Sequence, residues 1–222
     1  MKTIFENVSG MVPVIRVNNR ELNLTFYKEE LGLKVISEEN ALAILGGKTA
    51  KTIDDAVLII EESPSMRTRA VSGVKKLRKI VLDSPEFTEG FEKTSPEGDV
   101  FEIVPSASKD SELKIRDIEL STANLAESLA FYTEGFGLEH QDNRVFLPFG
   151  SINYTQAQGP DLLSKPEEVW DIEIIEFKVA KSVDLKQIAT QLDALSLAYY
   201  VDPKAKVLTL SDAQNIEIWF AK

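Results

Sequence analysis

Along the 222-residue chain the spacing of apolar positions switches between every second residue and every third or fourth. Residues 12–17 and 113–120 read as strands, and each is followed by a stretch with apolar side chains at helical spacing. Those side chains are Leu24, Tyr27 and Leu31 in the first stretch and Leu129, Tyr132 and Phe136 in the second, at i, i+3 and i+7. Asn19 and Asn124 stand where a helix N-cap is wanted, and Gly32 and Gly137 supply a left-handed stop. Short β-like runs come next, at 41–45 and 56–60 and again at 144–148 and 152–156. The pattern predicts a β-α-β-β-β unit, present at least twice.

The two units are related in sequence as well as in pattern. Laying 17–33 over 122–138 gives identities at Asn19/Asn124, Leu24/Leu129, Phe26/Phe131, Tyr27/Tyr132, Glu29/Glu134, Gly32/Gly137 and Leu33/Leu138. Chance would give about one. A third unit spans 169–222, with a strand at 170–179, a helix at 183–195 and strands at 198–201, 206–210 and 216–220. A shortened one spans 73–105, with strands at 77–82 and 100–104 and room for only a turn or two of helix within 84–94. The polar stretch 106–112 divides the chain into halves at 1–108 and 113–222, as a duplication would. The expected fold is α+β: repeated βαβββ modules forming two curled mixed sheets, one per half around a cavity, with the second module truncated.

Composition narrows the chemistry. With no cysteine there is no disulfide, thiolate metal site or cysteine nucleophile, and one histidine, His140, forbids an HExxH zinc pair. Thirty-six acids against 25 Lys and Arg leave a net charge of −11, which argues against nucleic acid and anionic membranes as partners. The first residues lack the apolar core of a signal peptide and no run approaches a membrane span, so a cytoplasmic protein is expected.

The strings Arg16-Val17-Asn18-Asn19, Phe26-Tyr27 and Leu31-Gly32-Leu33, with Ser95-Pro96-Glu97-Gly98-Asp99-Val100-Phe101-Glu102, resemble the vicinal oxygen chelate superfamily. Glyoxalase I, the bleomycin and fosfomycin resistance proteins and the extradiol dioxygenases belong to it. More narrowly, VPVIRVNNRELNLTFYKEELGL, the lack of cysteine and the cut-down second module resemble the CppA family of streptococci and related cocci. The resemblance implies a glyoxalase-like fold over nearly the whole chain. It also implies a role in host interaction as a proteinase that degrades complement C3, a hydrolase of virulence; such a role would place the protein at the surface or outside the cell. The alternative is a metal-free binding protein for a small apolar or planar ligand, as in bleomycin resistance. A metal-dependent lyase or dioxygenase is the weakest of the three.

In metal-dependent members of the superfamily a His, Glu or Gln on a module's first strand and a Glu on its last strand hold the ion. By that correspondence Glu102 and Glu217 fall on last-strand positions, and the first-strand positions fall on Val12, Lys79, Asp117 and Ile174 or Glu173. A lysine there, with Arg78 beside it, repels a cation. Asp117, Glu173 and Glu217 would make an all-oxygen set suited to Mg or Mn, against the plainer reading of solvated strand carboxylates. Glu102, Asp117, Glu173 and Glu217 are therefore the candidate ligand-binding residues, with no metal or cofactor called for and catalytic residues unassigned.

No G-x-S-x-G turn or D-T/S-G motif accompanies His140, which reads as an exposed loop residue. The run 64–82 carries Arg67, Arg69, Lys75, Lys76, Arg78 and Lys79 without an acid; it suits either an anionic partner or a solvated linker into an edge strand. Trp170, Phe177, Tyr199, Tyr200, Trp219 and Phe220 read chiefly as core, or else as the lining of an apolar pocket. The candidate partners are complement C3 and a small apolar ligand. Four modules in one chain make an internal pseudo-dimer, so a monomer or a homodimer is expected.

Overall fold

In the computed structural model, which describes residues 4–63, 74–108, 111–165 and 171–222, both N-cap asparagines act as their place in the repeat requires. Asn19 Oδ1 accepts from the Leu22 amide at 3.0 Å, and Asn124 Oδ1 from the Glu127 amide at 3.3 Å. Gly32 and Gly137 both adopt φ +69°, and the following amides, Leu33 and Leu138, return to the carbonyls of Tyr27 and Tyr132. Arg67, Arg69 and Trp170 lie outside the described residues.

The first module comprises β1 (Val8–Val17), α1 (Arg20–Glu29), β2 (Lys34–Glu39), β3 (Leu42–Gly46) and β4 (Ala56–Glu62). The second has only β5 (Leu77–Ser84), β6 (Phe91–Thr94) and β7 (Val100–Pro105). The third has β8 (Lys114–Thr122), α2 (Leu125–Phe136), β9 (His140–Gln141), β10 (Arg144–Leu147) and β11 (Gly150–Gln156). The fourth has β12 (Ile172–Val179), α3 (Leu185–Ala194), β13 (Tyr199–Val201), β14 (Val207–Ser211) and β15 (Glu217–Ala221). No helix replaces 84–94 in the second module: Pro85 and Gly90 bracket a turn that leads into the four-residue edge strand β6. There Phe87 packs edge-on to Phe91 and covers Gly32.

The eight-stranded sheet runs β13-β14-β15-β12-β1-β4-β3-β2 and the seven-stranded sheet β6-β7-β5-β8-β11-β10-β9. The modules therefore pair first with fourth and second with third, and the expectation that each half curls its own sheet is corrected. The cause lies in the first strands. β1 is buried along most of both faces and needs a neighbour on each edge, but its own module supplies only β4. The other edge goes to β12, antiparallel, and β5 meets β8 in the same way.

The main core lies between the sheets, with α1 and α2 inside it. Tyr27 and Phe26 of α1 reach Phe101 of the seven-stranded sheet, with ring centroids 5.4 and 5.9 Å away. Phe5, fully buried in the 3₁₀ turn before β1, is ringed by Tyr132 and Phe136 of α2 and by Phe177 and Phe220 of the eight-stranded sheet. Strand alternation splits the aromatic group: Phe177 and Phe220 stack in the core, whereas Trp219 and the exposed Tyr200 face outward.

Two neighbouring lysines at the head of β5 serve different modules. Lys75 Nζ donates to Asp99 Oδ1 at 2.7 Å and to the Glu97 carbonyl at 2.8 Å. Lys76, 1% exposed, donates to the carbonyls of Ser164 and Gln214 at 2.6 and 2.7 Å. It faces the buried Asp171 and Asp212, whose carboxyls burial pushes up to about 6. The basic run is thus no solvated linker over its described part, and β5 stands mid-sheet rather than at an edge. Among the described residues no helix is long and apolar enough to cross a membrane.

Candidate functional site

Each sheet turns one face to the shared core and the other outward, and strand register decides which side chains meet on the outer faces. On the seven-stranded sheet Glu92, Glu102, Val81, Asp117, Ser151 and Phe146 form one cross-strand row. Lys79, Glu119, Asn153 and Arg144 form the next. Lys79 Nζ lies 2.9 Å from Glu92 Oε2 and 3.0 Å from Glu102 Oε2, and these two hydrogen bonds hold its pKa above the usual lysine range.

Asp117 is buried, and both oxygens of its carboxylate are engaged. Oδ1 accepts from Arg144 Nη2 at 2.9 Å and Ser151 Oγ at 2.5 Å, and Oδ2 from Arg116 Nε at 3.1 Å. Gly150 permits this approach, because a Cβ there would overlap the Arg116 carbonyl. Arg144 also lies over the Phe146 ring, 5.7 Å from its centroid. An ammonium and two guanidinium groups thus stand where a cation would have to sit.

The outer face of the eight-stranded sheet differs in kind. Ile44, Ile59, Val14, Ile174, Glu217 and Ser211 form one row, and Val12, Glu176, Trp219, Thr209 and Tyr200 the next. The first-strand positions Val12 and Ile174 are buried and apolar, with no lone pair to offer a metal. Glu217 accepts from the Trp219 indole Nε1 at 2.7 Å. Glu173 sits at the register shift opposite Val14/Ile15 and receives Arg16 Nε at 2.9 Å and Nη2 at 2.7 Å. Burial raises its pKa, and the Arg16 charge offsets part of that rise.

A cavity of about 350 Å³ opens beside this row, walled by Ile44, Ile59, Ala56, Val179, Glu176 and Lys178. Lys178 Nζ is engaged by the carbonyls of Asp54 and Ala56, at 2.7 and 2.6 Å. A larger cleft, about 460 Å³, lies elsewhere, where Gly47 and Asp55 meet Leu113, Lys114 and Phe149 at the start of β8. Lys178 borders both spaces.

The four carboxylates expected as a site are split between the sheets. Glu102 and Asp117 flank Val81 on one, Glu173 and Glu217 lie on the other, so the trio Asp117, Glu173 and Glu217 is not assembled. Among the described residues no three His, Asp or Glu side chains are grouped to hold a metal ion. The donors at the superfamily's metal positions, apolar on one sheet and already paired with cations on the other, do not fit one. His140 is exposed on the two-residue edge strand β9, its Nδ1 3.2 Å from the Asp142 carbonyl. The group that sequence reasoning missed is Glu176. The signal for it was the doublet Ile174-Ile175, which marks a strand apolar on both faces and so places a polar neighbour in apolar surroundings.

Two family models match the chain, CppA N-terminal over residues 10–103 and CppA C-terminal over residues 110–220. The crystal structure of the cppA protein from Streptococcus pneumoniae TIGR4 superposes with a TM-score of 0.73 at 26% identity, covering 97% of this chain and 99% of that one. Glyoxalase I from Zea mays superposes with a TM-score of 0.65 at 12% identity, covering 98% of this chain and 94% of that one, a likeness of fold. No curated protein matches the sequence. Two mixed sheets built from repeated modules make the fold glyoxalase-like.

Proposed function

The chain belongs to the CppA family, and from that premise we propose that it is a metal-independent binding protein for a small apolar or planar molecule, held on the outer face of the eight-stranded sheet. What carries this reading is the unbroken apolar row Ile44, Ile59, Val14 and Ile174, whose first two members wall a cavity of drug-like size. In relatives that use a metal, first-strand ligands supply polar anchoring, whereas here Val12 and Ile174 supply hydrocarbon. Burial of a ligand's apolar surface is then the main driving force, worth about 25 cal/mol per Å² before the costs of association.

Amide chemical shifts test the placement. A neutral naphthalene derivative is expected to shift the resonances of Ile44, Ile59, Ile174 and Trp219 and to leave those of Asp117 and Arg144 in place. Shifts confined to Asp117 and Arg144, or none at all, overturn the assignment. The proteinase description that the resemblance brings has a separate expected result. Purified protein incubated with complement C3, beside a mock preparation from the same host, should leave the C3 chains intact. C3 fragments that scale with the purified protein and not with the mock preparation would replace binding by hydrolysis.

A further inference from the structure

We infer that Glu176 is the polar anchor of this face and that the ligand it selects is a small apolar amine, bound as its ammonium cation. The inference deepens the binding reading and rests on it. Glu176 lies in mid-strand between Val12 and Trp219, and among the described residues its carboxylate receives no hydrogen bond.

Of the other acids of this face, Glu173 is occupied by Arg16 with Glu61 beside it, and Glu217 by the Trp219 indole. Lys178, two residues along β12, is spent on two backbone carbonyls, and Lys181, 3.4 Å from Asp54, lines the cavity end near Val179 together with Lys222. Burial pushes the Glu176 carboxyl up from its ordinary range, and the Lys178 charge opposes that shift.

A carboxylate drawn out of water without a donor is costly, and a ligand ammonium relieves that cost with a charge-assisted hydrogen bond. The same ligand's hydrocarbon covers Ile44 and Ile59 in the cavity, while the ring of Trp219, paired with Glu176 on the adjacent strand, favours a cation or a ring above it. On the seven-stranded sheet Lys79, Arg116 and Arg144 neutralise the row of Glu92, Glu102 and Asp117, and Glu119 beside it lies in the field of Lys79. A carboxylate-bearing ligand seated against Glu176 would meet its like charge at close range.

The test uses three matched probes, 1-naphthylmethylamine, 1-naphthalenemethanol and 1-naphthoate, titrated calorimetrically into the full chain and into Glu176→Gln at neutral pH. The amine is expected to bind the full chain about tenfold or more tightly than the alcohol, and the naphthoate least. Glu176→Gln should bring the amine down to the level of the alcohol while alcohol binding stays within about twofold. Equal affinity of amine and alcohol for the full chain, or an amine preference that survives in Glu176→Gln, overturns the anchor and leaves the binding reading standing. Absence of binding by all three probes overturns both. Near-ultraviolet circular dichroism confirms that the isosteric variant is folded; were Glu176→Gln unfolded, the amine-to-alcohol ratio on the full chain would decide alone.

Discussion

Replacing Lys76 by methionine is expected to lower stability by about 3–5 kcal/mol at neutral pH, since removing one partner strands buried charge on the other. The side chain of Lys76 is the hub of a buried junction. It fills the carbonyls of Ser164 and Gln214 and supplies a cation that offsets the burial of Asp212. Asp171 Oδ2 holds the Leu77 amide at 2.9 Å, and Asp212 Oδ1 holds those of Gln214 and Ile216 at 2.8 and 2.9 Å. The junction thereby ties the second module to the fourth, across the two sheets.

The same substitution carries a pH signature. Burial lifts Asp171 and Asp212 from an ordinary 3.8 to about 6, so between about pH 4 and 6 the folded chain binds more protons than the unfolded one. Their contribution is greatest once both are protonated, below about pH 4, and it is lost as pH rises through 6. Without Lys76 both carboxyls move higher still, and the deficit of Lys76→Met should narrow as pH falls from 7 to 5. Urea unfolding at the two pH values checks this; an equal deficit at both would contradict a junction held by charge. Asp55 and Asp202, whose carboxyls backbone amides hold low, act the other way and lose their support only in stronger acid.

Phe5→Ala is expected to cost about 3–5 kcal/mol. Phe5 is fully buried, and its ring touches four others: Phe177 at 4.9 Å, Phe136 and Phe220 at 5.5 Å and Tyr132 at 6.4 Å. Those rings belong to α2 and to β12 and β15, which fix one another's positions and collapse poorly into a void. For a chain of this length the loss corresponds to roughly 10 °C in melting temperature. Phe5→Leu, which refills most of the space, should recover more than half of the deficit. A Phe5→Ala protein within about 1 kcal/mol of the parent would show that the ring is not what joins the third and fourth modules.

Sequence legibility followed the range of the interactions. The repeated helices could be read because Asn19, Asn124, Gly32 and Gly137 act within a few residues of themselves. The edge strands β2 and β6 could not be placed, because Lys34, Glu38, Glu39, Glu92 and Lys93 serve there as charged guards and give no apolar alternation. Module pairing was hidden for another reason: periodicity marks the faces of β1 and β12 but not which strand lies at their edges. A run of lysines looks solvated until the fold shows Asp99, Asp171 and Asp212, each distant in sequence, closing around Lys75 and Lys76. The four candidate carboxylates were chosen by correspondence with a metal site. Once β5, β8 and β10 bring Lys79, Arg116 and Arg144 to that place, the correspondence loses its chemistry.

Binding of 1-naphthalenemethanol, followed through Trp219 fluorescence in a Trp170→Phe background, tests metal-independent binding most directly. The titration midpoint is predicted to be the same in excess EDTA as in excess Mn²⁺ or Ni²⁺. Binding that appears only when the metal is added would contradict it.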